Sequence, residues 1–290
     1  MSIRNLQARE EYVANYPAQQ RSILAAGCNT HIYEAGEGGV PLVFLHGGIV
    51  EAATWLQNVI PLAHGRTVIA PDLPAHGLSD YLPPAKLLIW FEALVDKLGL
   101  DRFDLCGHST GGGLAVRYAA AHPNRVRRLI LCAPTSLGLV FPRFGPLLWA
   151  GSLPSPAPFT DLMIEHVWGD PGRLSPELRK YFCLFMEDMM DSGRWWWYLS
   201  GGWRWMLDAQ PRDLTAVSVP TLLLWGGRDR IVPRTPRIQQ FIARHLPQAR
   251  VHVFETSGHM PQLECEEEFN TVVKRFVSHP IERRSVRAPA

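Results

Sequence analysis

What this 290-residue chain lacks narrows its chemistry before any motif is read. No apolar run approaches the ~20 residues that a bilayer-spanning helix needs. The opening stretch MSIRNLQAREEYV has no apolar centre of the kind a secretory signal carries, so a cytoplasmic location is expected. Cysteine is scarce and unpaired. The five residues at 28, 106, 132, 183 and 265 are odd in number and show no paired spacing, which points to buried thiols in a reducing compartment. There are eleven histidines, but no H-x-H, H-E-x-x-H or C-x-x-C pattern accompanies them, so no metal and no cofactor is expected. An excess of one charge is missing too: 29 basic against 27 acidic residues leave a net +2, with no electrostatic footprint for nucleic acid.

What is present begins with apolar residues at 47%, enough for a sizeable core in one large domain or a domain with an insertion. Short, near-continuous apolar runs alternate with helical stretches: PLVFLHGG (41–48), RTVIAPDLP (66–74), RFDLCGHS (102–109), VRRLILCAP (126–134), VPTLLLWGG (219–227) and ARVHVFE (249–255). Helices are predicted over Lys86 to Leu98, Thr110 to Ala121, Pro236 to Leu246 and Gln262 to Val277. This alternation predicts an α/β fold with a mostly parallel, doubly wound sheet covered on both faces. The expected divisions are an N-terminal extension (1–24), a core (25–134 and 212–278), a helical cap inserted after the sixth strand (135–211) and a flexible tail (279–290).

The stretch DLCGHSTGGG (104–113) raises the chemical question. Leu114 and Ala115 stand where a P-loop needs Lys and Ser/Thr, and the glycines at 107, 111, 112 and 113 do not fit G-x-G-x-x-G. G-x-S-x-G does fit, from Gly107 through Ser109 to Gly111, placing a serine on a sharp strand-to-helix turn. A serine hydroxyl needs a base to take its proton and a third group to orient that base. Asp229 lies in the turn after VPTLLLWGG, and His259 in the glycine-containing turn after the last strand. All three fall just past strand ends, where open parallel sheets bind ligands. A turn-forming Asp229, a surface His259 and a helix-capping Ser109 are the bland readings of each taken singly; their joint order favours catalysis. The backbone N–H of Gly48 and that of Thr110 are the candidate oxyanion donors, and His46 is expected to be a structural hydrogen-bonding residue.

These residues make the chain similar to the α/β-hydrolase superfamily over roughly residues 25 to 275. The likeness rests on HGG at 46–48, PDLPAHGLSD at 71–80, GHSTGG at 107–112, GGRDRIVP at 226–233 and SGHMPQLE at 257–264. It departs at Ala75, where relatives usually carry glycine. The HGGGPG stretch common in ring-cleavage C–C hydrolases is absent, because Ile49-Val50-Glu51 follow the two glycines. The resemblance implies a serine hydrolase of a carboxylic ester, lactone or thioester. Other triad chemistry (C–C bond hydrolysis, perhydrolysis, cyanohydrin cleavage) and a non-catalytic receptor are the alternatives. Within the cap, RWWWYLSGGWRWM (194–206) holds three consecutive tryptophans that cannot share one helix face, adjacent positions lying about 100° apart. Either they pack the cap, or Trp195, Trp196 and Trp197, with Met260, roof a pocket for a small apolar substrate. The homo-oligomeric state is left open.

Overall fold

The computed structural model describes residues 3–135, 157–191, 194, 197, 201–202 and 211–279. Its centre is an eight-stranded sheet: β1 (Gln19–Ala25), β2 (Cys28–Ala35), β3 (Leu42–Leu45), β4 (Val68–Pro71), β5 (Phe103–His108), β6 (Val126–Cys132), β7 (Thr221–Gly226) and β8 (Arg250–Phe254). The spatial order is β1-β2-β4-β3-β5-β6-β7-β8. β1 and β2 pair antiparallel, as do β2 and β4; every pairing from β4 onward is parallel. The parallel part of the sheet therefore starts at β3 in the interior and winds first one way, to β4, then the other, through β5 to β8.

Successive side chains on a strand point to opposite faces, and both faces are apolar. Val43, Leu45, Leu105, Leu131 and Trp225 lie on one face, under α3 (Leu87–Lys97), α4 (Ser109–Ala121) and α8 (Pro236–His245). Phe44, Cys106, Ile130, Cys132 and Leu224 lie on the other, under α2 (Leu56–Leu62) and α10 (Glu266–Ser278). That two-sided burial is why the parallel strands read as unbroken apolar runs. The predicted final helix is divided, however: α9 (Pro261–Glu264) ends at Cys265, whose φ of −133° and ψ of 49° interrupt the helix before α10. Cys28, Cys106 and Cys132 are buried free thiols, and Cys183 and Cys265 are half-buried.

Between β6 and β7 the described residues form α5 (Ala157–Val167), α6 (Pro176–Asp191) and the short α7 (Pro211–Ala216), and no strand. Met163, Ile164, Phe182, Phe185, Met186 and Met189 of the insert join the core of the α3/α4 face. Residues 1–24, expected as an extension, contain α1 (Ile3–Val13) and most of β1, so the sheet begins at Gln19. α1 packs against α6, with Tyr12 stacked on Tyr181 at 4.8 Å between ring centres. Among the described residues no helix is long and apolar enough to cross a membrane.

Candidate active site

β5 ends at His108, and the chain turns at once into α4 through Ser109, whose φ is +50°. A non-glycine residue in the left-handed region is uncommon and marks a turn held by its surroundings. The turn needs glycine beside it: a Cβ at Gly111 would lie 2.4 Å from the Leu45 carbonyl oxygen. Instead the Gly111 N–H donates to the His46 carbonyl at 3.1 Å, locking the elbow to the end of β3. Gly47 is equally constrained, because a Cβ there would meet His108 Nδ1 at 2.6 Å and Ser109 Cβ at 3.2 Å. The main chain of HGG thus runs directly against the serine. Thr110 is the second residue of α4, where amides have no intrahelical acceptor and the helix dipole favours negative charge.

The sequence-predicted acid and base come together. The Nδ1 of His259 and Oδ2 of Asp229 are 2.8 Å apart, both residues being buried. Oδ1 of Asp229 accepts the N–H groups of Ile231 and Val232, each at 2.8 Å. Three donors thus converge on one carboxylate and fix its orientation. With Nδ1–H committed to Asp229, Nε2 of the imidazole is left as the acceptor face. The backbone of His259 is fixed from two sides: its carbonyl accepts from His108 Nε2 at 2.9 Å, and its N–H donates to the Val167 carbonyl at 2.6 Å. The rings of His108 and His259 lie 4.8 Å apart.

Sequence reasoning assigned no role to Glu264, Asp72 or His108. Glu264 Oε1 accepts the Gly258 N–H (2.8 Å) and the Ser257 hydroxyl (3.1 Å), while Oε2 accepts the Gly169 N–H (2.7 Å). It ties the His259 turn to the insert. Asp72 receives the N–H groups of Ala52 and Leu78 and sits 3.1 Å from His31 Nδ1. Burial pushes its carboxyl up, but His31 foremost, with Arg9 and His46, holds it well below the usual carboxylate range. PDLPAHGLSD contained the signal for Asp72, an acid between prolines at a strand end, although the pattern names no partner.

His46 is structural, as expected: its Nε2 accepts the Leu73 N–H at 2.8 Å, so Nδ1 carries the proton it donates to the Gly47 carbonyl at 2.7 Å. Burial lowers His46 to about 4 and His76 to about 3. Burial and the neighbouring His259 bring His108 well below the ordinary histidine value. Burial thus disfavours the charged form of all three imidazoles, of which His46 and His108 flank the elbow. Ala75 adopts a left-handed turn, with φ +67°.

Of the candidate substrate contacts, Trp195 and Trp196 lie outside the described residues. Trp197 is fully buried, donates its indole N–H to the Leu82 carbonyl at 2.9 Å and meets His76 edge-on at 5.4 Å. It packs the insert onto the loop after β4, and Arg194 reinforces this by donating to the Gly77 carbonyl at 2.6 Å. Met260 is 1% exposed and adjoins His259. Among the described residues no cluster of His, Cys, Asp and Glu could hold a metal ion.

A family model described as alpha/beta hydrolase fold matches residues 40–265. A 2-hydroxymuconate semialdehyde hydrolase of Pseudomonas sp. (strain CF600) is 31% identical over 283 residues, covering 91% of this chain and 95% of that protein. A dihydrolipoyllysine-residue acetyltransferase component of an acetoin cleaving system from Pseudomonas putida is also 31% identical, over 91% of this chain and 70% of its own length. Among solved structures, the meta-cleavage product hydrolase CumD of Pseudomonas fluorescens IP01 superposes with a TM-score of 0.77 at 25% identity, covering 89% of this chain and 97% of that one. The carboxylesterase CesB of Bacillus subtilis shares the fold with a TM-score of 0.79 at 21% identity, over 96% and 99% of the two chains.

Proposed function

The chain belongs to the α/β-hydrolase fold family and is a hydrolase of the serine type, and from that premise we propose that it cleaves a carboxylic ester, lactone or thioester of an apolar substrate through an acyl-enzyme on Ser109. The observation that carries this reading is the Asp229–His259 pair at 2.8 Å, taken with a serine at φ +50° whose preceding residue, His108, touches His259. His259 Nε2 takes the Ser109 proton as Oγ attacks the acyl carbon, and returns it to the leaving alcohol or thiol. Water, deprotonated by the same nitrogen, then releases the acid and restores the serine. The amides of Gly48 and Thr110 bind the oxyanion that forms in both steps. Asp229 accepts the Nδ1–H of His259 and so keeps Nε2 free to accept. The surrounding imidazoles are neutral and the packing residues apolar, which suits an uncharged substrate.

A second reading is hydrolysis of a C–C bond by the same groups, favoured by the likeness to the 2-hydroxymuconate semialdehyde hydrolase. The missing HGGGPG stretch weighs against it. The deciding experiment sets p-nitrophenyl acetate and butyrate, a lactone and a thioester against a 2-hydroxy-6-oxo-2,4-dienoate. Ester turnover exceeding dienoate cleavage by a hundredfold or more supports the first reading; the reverse ratio replaces it with the second. Neither activity, together with no labelling of Ser109 by a fluorophosphonate, would remove both.

A further inference from the structure

The turn that carries Gly48 continues into an uncommon backbone geometry. Ile49 has φ +60°, and a β-branched side chain in the left-handed region is strained, so the surroundings must impose it. Upstream, the Gly111 amide anchors the His46 carbonyl. Downstream, the chain reaches Glu51, which opens the 3-10 turn Ala52–Trp55 and accepts both the N–H and the hydroxyl of Thr54 on its carbonyl.

The Glu51 side chain is wholly buried, and its partners come from elsewhere in the chain. Oε1 receives Arg9 Nε of α1 at 3.1 Å, and it also receives the hydroxyl of Tyr181 from α6 of the insert. The next residue, Ala52, donates its N–H to Asp72 Oδ1 at 2.7 Å. Arg9 is itself buried, with its guanidinium over the Tyr33 ring at 5.4 Å. A buried carboxylate without a counter-charge is strongly unfavourable. Arg9 and Glu51 therefore hold each other in place, and the position of Glu51 fixes where the strained turn ends. Arg9 lies outside residues 40–265, the part of the chain that carries the family pattern.

We propose that the N-terminal helix is a working part of the oxyanion site: by gripping Glu51, Arg9 and Tyr181 hold the Ile49 turn, and with it the Gly48 amide, in the orientation that receives the oxyanion. This rests on the reading of Ser109 and Gly48 given above. Arg9, Glu51 and Tyr181 are positioning residues and touch no substrate. When the grip is lost, Ile49 relaxes to negative φ and the amide turns away. Transition-state binding then suffers, while ground-state binding does not.

The test uses the full chain with Tyr181→Phe, which keeps the ring stack on Tyr12 and the Arg9–Glu51 pair, and with Arg9→Met. For p-nitrophenyl butyrate, kcat is expected to fall about tenfold or more with KM within about twofold, a fraction of the cost of deleting an oxyanion donor outright. Affinity for an alkyl boronic acid, whose serine adduct presents an oxyanion, should weaken by the same factor. Hydrogen exchange of the amides at 48–56 should accelerate. The pH–rate profile should keep its midpoint, since His259 and Asp229 are untouched. Arg9→Met/Glu51→Gln removes the lone buried charge and should restore thermal stability without restoring kcat. Recovery of kcat together with stability, or wild-type kcat and boronate affinity in folded Tyr181→Phe and Arg9→Met, overturns the proposal. If the wild-type protein neither cleaves esters nor binds the boronate, the serine reading fails. Exchange at 48–56 then judges the grip by itself, and unchanged rates in both variants reject it.

Discussion

At the residue scale the side chains that matter are those whose alternatives would be costly. Ser109→Ala should lower kcat on esters by about 10⁴ to 10⁶ with the fold intact, because a base without a nucleophile leaves only binding and the oxyanion donors. A folded variant that keeps a tenth of wild-type turnover would send the search to another nucleophile. Asp229→Asn replaces an acceptor of three N–H groups by one that must turn an NH₂ towards at least one of them. If that NH₂ faces His259, the imidazole is forced into the wrong tautomer, and a loss on the order of 10³ to 10⁴ in kcat is expected with KM little changed. Ala75 offers a test in the opposite direction. A left-handed alanine costs about 1–2 kcal/mol, and glycine gives back about 0.4–1 kcal/mol through the unfolded chain. Ala75→Gly should therefore stabilise the protein by roughly 0.5–1 kcal/mol in urea unfolding. A destabilised variant would mean that the Ala75 methyl, buried in the α3/α4-face core, outweighs the strain.

At the scale of elements, what the sequence disclosed follows the chemistry of the strands. β3 to β7 are buried on both faces, so they stand out as apolar runs, and the turns after β5, β7 and β8 carry Ser109, Asp229 and His259. β1 and β2 were not legible. β1 is an edge strand, QQRSILA, exposed along most of its length, and has no apolar run to announce it. Its hairpin turns on Ala26 and Gly27, both at positive φ, where Asn-Gly would have been the recognisable signal. The break at Cys265 was hidden for another reason: Glu264, the residue before it, is held partly by a contact distant in sequence, the Gly169 N–H, as well as by the nearby Gly258 N–H. That carboxylate joins two elements, so its removal should be felt in both. Glu264→Ala should cost about 2 kcal/mol in stability, since hydrogen bonds to a charged group are worth about 1.5–3 kcal/mol each and water replaces some of them. It should also reduce kcat/KM by about tenfold through a loosened His259 turn. Loss of stability with unaltered kcat/KM would make Glu264 a fold residue alone.

For the molecule as a whole, the buried neutral histidines set a limit in acid. Burial lowers the folded-state values of His46 to about 4 and His76 to about 3, with His108 also far below normal, whereas the unfolded chain takes up these protons near pH 6.5. The unfolded state then binds more protons than the fold, so stability falls as pH drops below about 6.5. The slope is about 1.4 kcal/mol per pH unit for each histidine, until the folded values are reached. Urea midpoints at pH 7, 6 and 5 should decline steeply, and His76→Gln should remove about a third of the decline. A flat profile between pH 7 and 5 would show that these imidazoles are charged in the fold.

The bond from the His259 N–H to the Val167 carbonyl at 2.6 Å has a kinetic implication. One end of α5 is riveted to His259, the base of the proposed mechanism, and Glu264 doubles the rivet at Gly169. If the insert opens for ligand traffic, these two bonds make the seam at Val167 and Gly169 the expected fulcrum, which would leave the alignment of His259 undisturbed. The His259 amide should consequently exchange as slowly as the central strands, whether or not a boronate occupies the site. Rapid exchange of that amide in the free enzyme alone would mean that the seam itself parts when the site opens.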